Sequence, residues 1–184
     1  DIASGRSASH LPVQKDGSCN GLQHYAALGR DAKGAATVNL APQDSPADIY
    51  AEVARRVARV VERSAEHGNE LSAKVLPYIE RATVKQTVMT KVYGVTAIGA
   101  RKQVYSRLKD AGYEHGDLFE ASRYLSLAIL TAMDKVCKGA AEIMAWLADC
   151  ATRIAASGKC IAWTIPMGMP VFQEYRSTKN TTVA

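Results

Sequence analysis

The chain has 184 residues, enough for one domain or two small lobes, and a formal net charge of +5 with an isoelectric point near 9.0. That balance suits a polyanionic partner without requiring one, and an aromatic share of 7% leaves no evident stacking platform of the single-strand-binding kind. Four scattered cysteines (Cys19, Cys137, Cys150, Cys160) form no Cys-x-x-Cys, which argues against a zinc site or a disulfide framework and for a reducing compartment; no apolar run reaches the roughly 18 residues of a membrane span.

Asp1 to His10 is rich in Ser and Gly and reads as loose, and Leu11 to Lys15 reads as a short strand. At its end stands Asp16, followed by the small residues Gly17-Ser18-Cys19-Asn20-Gly21 and a helix from Gly21 to Arg30. A carboxylate on a strand edge beside slim backbone is what metal-dependent nucleotidyl transfer requires. Mg²⁺ takes hard oxygen ligands, often one or two carboxylates plus substrate phosphates. Two such ions about 4 Å apart activate an attacking oxygen and stabilise a leaving one. Taken alone, one Asp beside one Gly is also a turn or a helix N-cap.

Gly34 to Asp44 reads as a loop, interrupted by Asn39-Leu40-Ala41-Pro42. Pro46 to Glu66 is the clearest helix: Ile49, Val53, Val57 and Val60 share one face, with Arg55, Arg56, Arg59 and Arg63 opposite. The arginine face reads as solvated surface rather than a duplex contact. His67-Gly68-Asn69 is a turn, and Leu71 to Ile79 a short helix interrupted by Pro77.

The second constellation is Arg81-Ala82-Thr83-Val84-Lys85, continuing through Gln86, Thr87, Val88 and Met89 to Tyr93-Gly94. In a helix, Arg81 and Lys85 lie one turn apart on one face and repel unless an anion sits against them. A triphosphate is such an anion: Lys binds phosphate as a point charge and Arg with a planar fork. Tyr93 offers a ring or a hydroxyl, and Gly94 ends or bends the helix. Local propensity does not favour a helix, because Thr83, Val84, Thr87, Val88, Thr90 and Val92 are β-branched. On periodicity the segment is ambiguous, and a solvated basic face is the plain alternative.

Gly94 to Gly99 reads as a hinge, and Arg101 to Ala111 as an amphipathic helix with Arg101, Lys102, Arg107 and Lys109 on its polar side. Leu118 to Cys137 and Gly139 to Ala156 are long helices; Leu125, Ile129, Leu130, Met133, Ile143, Met144, Trp146 and Leu147 read as core, and Gly158 ends the second. Cys160 to Ile165 and Val171 to Tyr175 form a hairpin across a turn at Pro166 to Pro170, with Trp163 and Tyr175 as packing residues. Cys19 and His24 lack a third orienting group for nucleophilic catalysis.

Three stretches resemble the single-subunit, phage-type DNA-dependent RNA polymerases in their mitochondrial and plastid form. They are Asp16 to Tyr25 with its continuation to Leu40, Arg81 to Gly94, and Pro166 to Tyr175; the likeness runs from Leu11 to Tyr175. The resemblance implies a mainly α fold with short antiparallel strands (α+β), part of the palm and fingers of a right-hand polymerase. It divides the chain into a palm segment over 1–45, a fingers-like helical region over 46–157 with a nucleotide-binding helix at about 80–93, and a hairpin with a polar tail over 158–184.

It further implies DNA-directed RNA synthesis. Asp16 holds Mg²⁺ with help from the Gly17 carbonyl, and Arg81 and Lys85 bind the triphosphate. Met89 and Gly94 lie against the nucleotide, Tyr93 senses the 2′-hydroxyl, and Tyr50 lies near the sugar. Partners implied are a DNA template, the RNA product, nucleoside triphosphates and, for the parent protein, transcription factors, in a mitochondrion or alternatively a plastid, with no membrane role. Related DNA polymerases usually carry an aromatic residue where this chain has Met89, and lack Asp-Gly-Ser-Cys-Asn-Gly. The family's second metal-binding Asp lies in a His-Asp motif, and no His-Asp dipeptide occurs here. The chain, which starts at Asp1 and ends in a polar tail, is therefore expected to be a fragment that does not polymerise alone. The rival readings are a DNA-synthesising templated polymerase and a catalytically inactive, basic nucleic-acid-binding module.

Overall fold

The computed structural model describes residues 4–5, 10–14 and 16–174. The end of the first expected strand at Lys15, the end of the last at Tyr175, the polar tail and most of the loose N-terminal stretch lie outside the described residues.

Eight α-helices and one antiparallel hairpin make up the described chain, as the mainly α expectation required. They are α1 (Asn20–Leu28), α2 (Ala32–Thr37), α3 (Ile49–Glu66), α4 (Glu70–Val75) with a 3₁₀ turn at Leu76–Tyr78, α5 (Arg81–Lys91), α6 (Ala97–Asp110), α7 (Leu118–Val136) and α8 (Lys138–Ala156). Strands β1 (Ile161–Thr164) and β2 (Pro170–Gln173) pair with Ile161 opposite Gln173 and Trp163 opposite Val171. Short polar side chains start several helices by accepting otherwise unpaired backbone N–H groups. Asp31 caps α2 at Gly34, Asp48 caps α3 at Tyr50 and Ala51, Asn69 caps α4 at Ser72, and Thr96 caps α6 at Gly99.

The core gathers around α7, which packs on α3, α5 and α6. Leu125, Ile129 and Met133 of α7 share it with Val53, Val57 and Val61 of α3, Val84 and Val88 of α5, and Val104 and Leu108 of α6. This packing is why α5 is a helix despite its β-branched residues. A helix costs each of them at most about 0.7 kcal/mol relative to Ala, whereas fully burying Val84 or Val88 returns about 1.5–3 kcal/mol. The buried threonines are satisfied as well. Thr83 Oγ1 donates to the Tyr78 carbonyl at 2.7 Å, and Thr87 Oγ1 lies 3.3 Å from Gln103 Oε1 on α6. Gln103 is thus half-buried between α5 and α6.

Five elements depart from expectation. Leu11 to Gln14 form no strand: no other strand pairs with them among the described residues, and Leu11 and Val13 each remain 78% exposed. The expected loop after Gly34 begins as α2, because Asp31 caps a run of good helix formers. Val60 is exposed and Val61 fully buried; three- and four-residue spacing from Val57 fit one helix face equally, and the position of α7 selects the latter. Trp146 and Leu147 are exposed, since α8 lies on the outside and buries only Ala140 among its described residues. The hinge is also shorter than expected, because α6 already starts at Ala97.

Ile129→Ala should lower the unfolding free energy by about 2–5 kcal/mol in urea denaturation, while Leu147→Ala should stay within about 0.5 kcal/mol. Equal losses would place the outer face of α8 in the core.

Candidate nucleotide and metal site

Asp16 precedes α1 and its carboxylate is ordered by its own neighbours. Its Oδ1 accepts from the Gly17 N–H at 2.8 Å and from Asn20 Nδ2 at 2.9 Å. Among the described residues Oδ2 has no partner. The loop then turns sharply: the Cys19 N–H donates to the Gly17 carbonyl at 3.0 Å, and Cys19 takes φ 70°. That left-handed conformation costs a non-glycine residue on the order of 1–3 kcal/mol and persists only where the surroundings fix it. Asn39 is one such fixture. Its Nδ2 donates to Ser18 Oγ and to the Ala47 carbonyl, each at 2.9 Å, tying the loop to the start of α3.

Two glycines in the motif stand at close approaches, and the one at Gly21 is against a stiff, branched neighbour. A Cβ on Gly17 would collide with the Asn20 and Gln23 side-chain oxygens, and one on Gly21 with Val92 at the end of α5. The second contact brings α1 onto α5, so that Asp16 faces the residues that end α5. That end is a Schellman turn: Gly94, at φ 79°, donates to the Lys91 carbonyl and Val95 donates to that of Thr90.

A cleft of about 100 Å³ results. The loop and α1 contribute Asp16, Gly17, Cys19, Asn20 and Gly21; α3 contributes Tyr50; α5 and its end contribute Met89 and Tyr93. Residues from three separate stretches of the chain therefore meet in one place. Burial, and then the neighbouring Cys19 sulfur, push the Tyr50 phenol up to about 12, so it remains a neutral O–H donor at physiological pH. Tyr93 is 75% exposed and free to meet a ligand from the open side.

Arg81, Lys85 and Met89 follow at intervals of four on the exposed side of α5, and Tyr93 continues the interval in the turn just beyond it. The structure commits Arg81 within the protein: its Nε donates to Asp48 Oδ2 at 2.6 Å, and its guanidinium lies 5.2 Å from the centre of the Tyr50 ring. Asp48 is itself the cap of α3, and its carboxyl is held below its usual value. Burial raises it, but the Arg81 hydrogen bond and charge and the two N–H donors outweigh that. Lys85 is exposed, with no ion pair among the described residues. Arg81, Lys85 and Gly94 do not line the cleft. Asn20 was not singled out by sequence; its signal was a side-chain amide four residues after the acid, at the first position of the helix.

The donor set suits a hard cation in part. Asp16 supplies an exposed carboxylate oxygen, and the Gly17 carbonyl keeps a second lone pair beside its bond to Cys19. No group of three or more His, Cys, Asp or Glu is placed to hold a metal among the described residues. Mg²⁺, which retains waters and takes one or two carboxylates plus phosphates, fits such a set better than a metal needing an all-protein cage.

A family model described as DNA-dependent RNA polymerase matches residues 4–184. The chain is 49% identical over 178 residues to DNA-directed RNA polymerase 2A of Nicotiana tabacum, an overlap of 92% of this chain and 54% of that protein. It is 48% identical over 176 residues to DNA-directed RNA polymerase 1, mitochondrial, of Nicotiana sylvestris, covering 91% of this chain and 18% of the relative. It is 46% identical over 176 residues to DNA-directed RNA polymerase 2, chloroplastic/mitochondrial, of Arabidopsis thaliana, covering 91% and 17%. The chain belongs to the DNA-dependent RNA polymerase family, as its motifs implied. It spans about half the length of the first of these relatives and under a fifth of the other two.

Gly21→Ala should destabilise the chain by about 1–3 kcal/mol, because Val92 must move; an unchanged thermal midpoint would contradict the close contact. The Asp48–Arg81 pair has a defined pH sign. Since the folded-state pKa of Asp48 is lowered, its contribution is fully present above the unfolded value of about 4 and is lost as pH falls through the lower folded value. Asp48→Asn should therefore flatten the acid limb of the stability-versus-pH curve; an unaltered limb would mean the pair is not formed.

Proposed function

We propose that this chain is the part of a DNA-directed RNA polymerase that binds the incoming ribonucleoside triphosphate and one side of its metal ions. The single observation that carries the reading is the cleft in which Asp16 and Gly17 meet Tyr50, Met89 and Tyr93. In this reading residues 1–45 belong to the palm, 46–157 to a fingers-like helical region and 158–184 to a hairpin with its tail.

Asp16 would hold Mg²⁺ through its carboxylate, with the Gly17 carbonyl beside it. When bound, Mg²⁺ supplies charge neutralisation and activation of the attacking oxygen. The protein's own residues do the rest. Asn20 and the Gly17 N–H hold one oxygen of Asp16 and so aim the other. Lys85 reaches from the exposed side of α5 toward phosphate as a mobile point charge. Arg81 first positions Tyr50 and Asp48, and reaches an anion only by leaving that pair. Tyr93 would offer its hydroxyl to the sugar at the mouth of the cleft, Tyr50 a protonated phenol at the wall and Met89 an apolar lining, and Gly94 turns the chain just after Tyr93.

Among the described residues, Asp16 is the one carboxylate lining the cleft. A one-carboxylate half-site binds metal weakly, so we propose that the 184-residue chain does not extend a primer by itself. The parent protein would work on a DNA template with transcription factors and release RNA. The names of the relatives support an organelle, and we propose the mitochondrion, with the plastid as the alternative. No helix among the described residues is long and apolar enough to cross a membrane.

Primer extension on an RNA–DNA hybrid by a full-length polymerase containing this segment tests the assignment. Asp16→Asn should reduce ribonucleotide addition by several orders of magnitude, and Tyr93→Phe should raise the use of deoxynucleotides. Undiminished extension by Asp16→Asn would remove the metal role, and a wild-type preference for deoxynucleotides would favour a DNA-synthesising enzyme.

A further inference from the structure

A groove of about 520 Å³ runs between α3 and α7 and shares no lining residue with the Asp16 cleft. Arg56, Arg59 and Arg63 of α3 and Lys135 of α7 stand along it. Among the described residues no carboxylate lines it and none of these four cations has an ion-pair partner. Acids nearby on the same two helices are engaged elsewhere: Glu52 with Arg55, Glu120 with Arg123, and Asp134 with Lys91. Glu62 and Glu66 do not line the groove. Arginines three and four residues apart on one helix repel one another. The groove thus presents a concentration of positive charge that no lining side chain neutralises among the described residues.

The lining between the cations is apolar. Val60 is 49% and Leu127 46% exposed, and Ala128 and Ala132 leave a slim trough beside them. From Leu127 to Lys135 the trough follows α7 for eight residues, about 12 Å at about 1.5 Å each, or two helical turns. Tyr124 is the one aromatic lining residue; it is half-buried, and its hydroxyl accepts from Ser72 Oγ at 2.8 Å, so it is tied into the fold.

We infer that this groove docks an acidic amphipathic helix of a protein partner, with leucine-type side chains in the trough and carboxylates on Arg56, Arg59, Arg63 and Lys135. Charge complementarity fixes the sign of the partner, and the apolar trough fixes its class. A phosphate backbone would satisfy the cations but leave Val60 and Leu127 in water, whereas a helix laid in a groove covers both and places acids along its flanks. Arg and carboxylate pair as planar forks. The inference stands apart from the polymerase reading, because it uses no residue of the Asp16 cleft.

The test is fluorescence anisotropy with the 184-residue chain and three labelled probes. The first is a helical peptide with leucines on one face and glutamates on the other; the second has the same composition in scrambled order; the third is a single-stranded DNA oligonucleotide. The amphipathic peptide should bind tightest, and Leu127→Ser and Arg59→Glu should each weaken it by at least about tenfold, as for residues central to an interface. Circular dichroism melting checks that both exposed-site variants remain folded, and Arg63→Glu is a second charge reversal should either fail. Preferential binding of the oligonucleotide with no effect of Leu127→Ser would make the groove a nucleic-acid surface and overturn the inference. Equal binding of ordered and scrambled peptides, or binding of none, would reduce the arginines to a solvated face.

Discussion

The site depends on one close approach, that of the Gly21 backbone on α1 to Val92 at the end of α5. A side chain at Gly21 would separate the two helices, and the carboxylate of Asp16 would no longer face Met89 and Tyr93. Further contacts hold the rest of the cleft around it. Gly17 lets the loop pass under Asn20, Cys19 absorbs the left-handed turn, and Asn39 ties the loop back to the residues before α3. Asp48 then links α3 to α5 through Arg81. Rigid placement on helices, rather than binding strength, is what these contacts provide. A reacting group displaced by an ångström loses much of its effect.

The two faces of α5 divide the labour of the fold. One buries Thr83, Val84, Thr87 and Val88 against α6 and α7, with its hydroxyls satisfied by Tyr78 and Gln103. The other presents Arg81, Lys85 and Met89 to solvent, continued by Tyr93 in the turn just beyond it. Lys91, tied to Asp134 at 3.1 Å, holds the far end against α7. The helix that would meet a nucleotide is thus anchored to the core along its whole opposite face. Its free cation, Lys85, is the member of the stripe with no ion pair among the described residues.

Much of this was legible in the sequence, and the exceptions have physical causes. The spans of α3, α7 and α8 follow closely from apolar spacing, whereas the first turn of α6 was read as hinge. Of the residues in the Asp16 and Arg81-to-Gly94 motifs, Asp16, Gly17, Met89 and Tyr93 meet in one cleft, joined by Tyr50, which only the resemblance pointed to. Propensity left α5 ambiguous, because the decision was made by tertiary burial of its valines. Periodicity could not separate Val60 from Val61, since both fit one helix face, nor could it reveal that the apolar face of α8 carrying Trp146 and Leu147 is left exposed. Arg81 was read as a phosphate contact, and its pairing with Asp48 depends on a separation of thirty-three residues that no local pattern encodes.

The central claim is that a cation held by Asp16 lies beside the end of α5. It can be measured directly by methyl NMR on the 184-residue chain, adding Mn²⁺ to protein labelled at the methionine methyls. The account predicts that Mn²⁺ broadens the Met89 signal well before those of Met144 and Met167, and that Asp16→Asn abolishes the selectivity. Uniform broadening of all methionines, or selective broadening that survives Asp16→Asn, would contradict it.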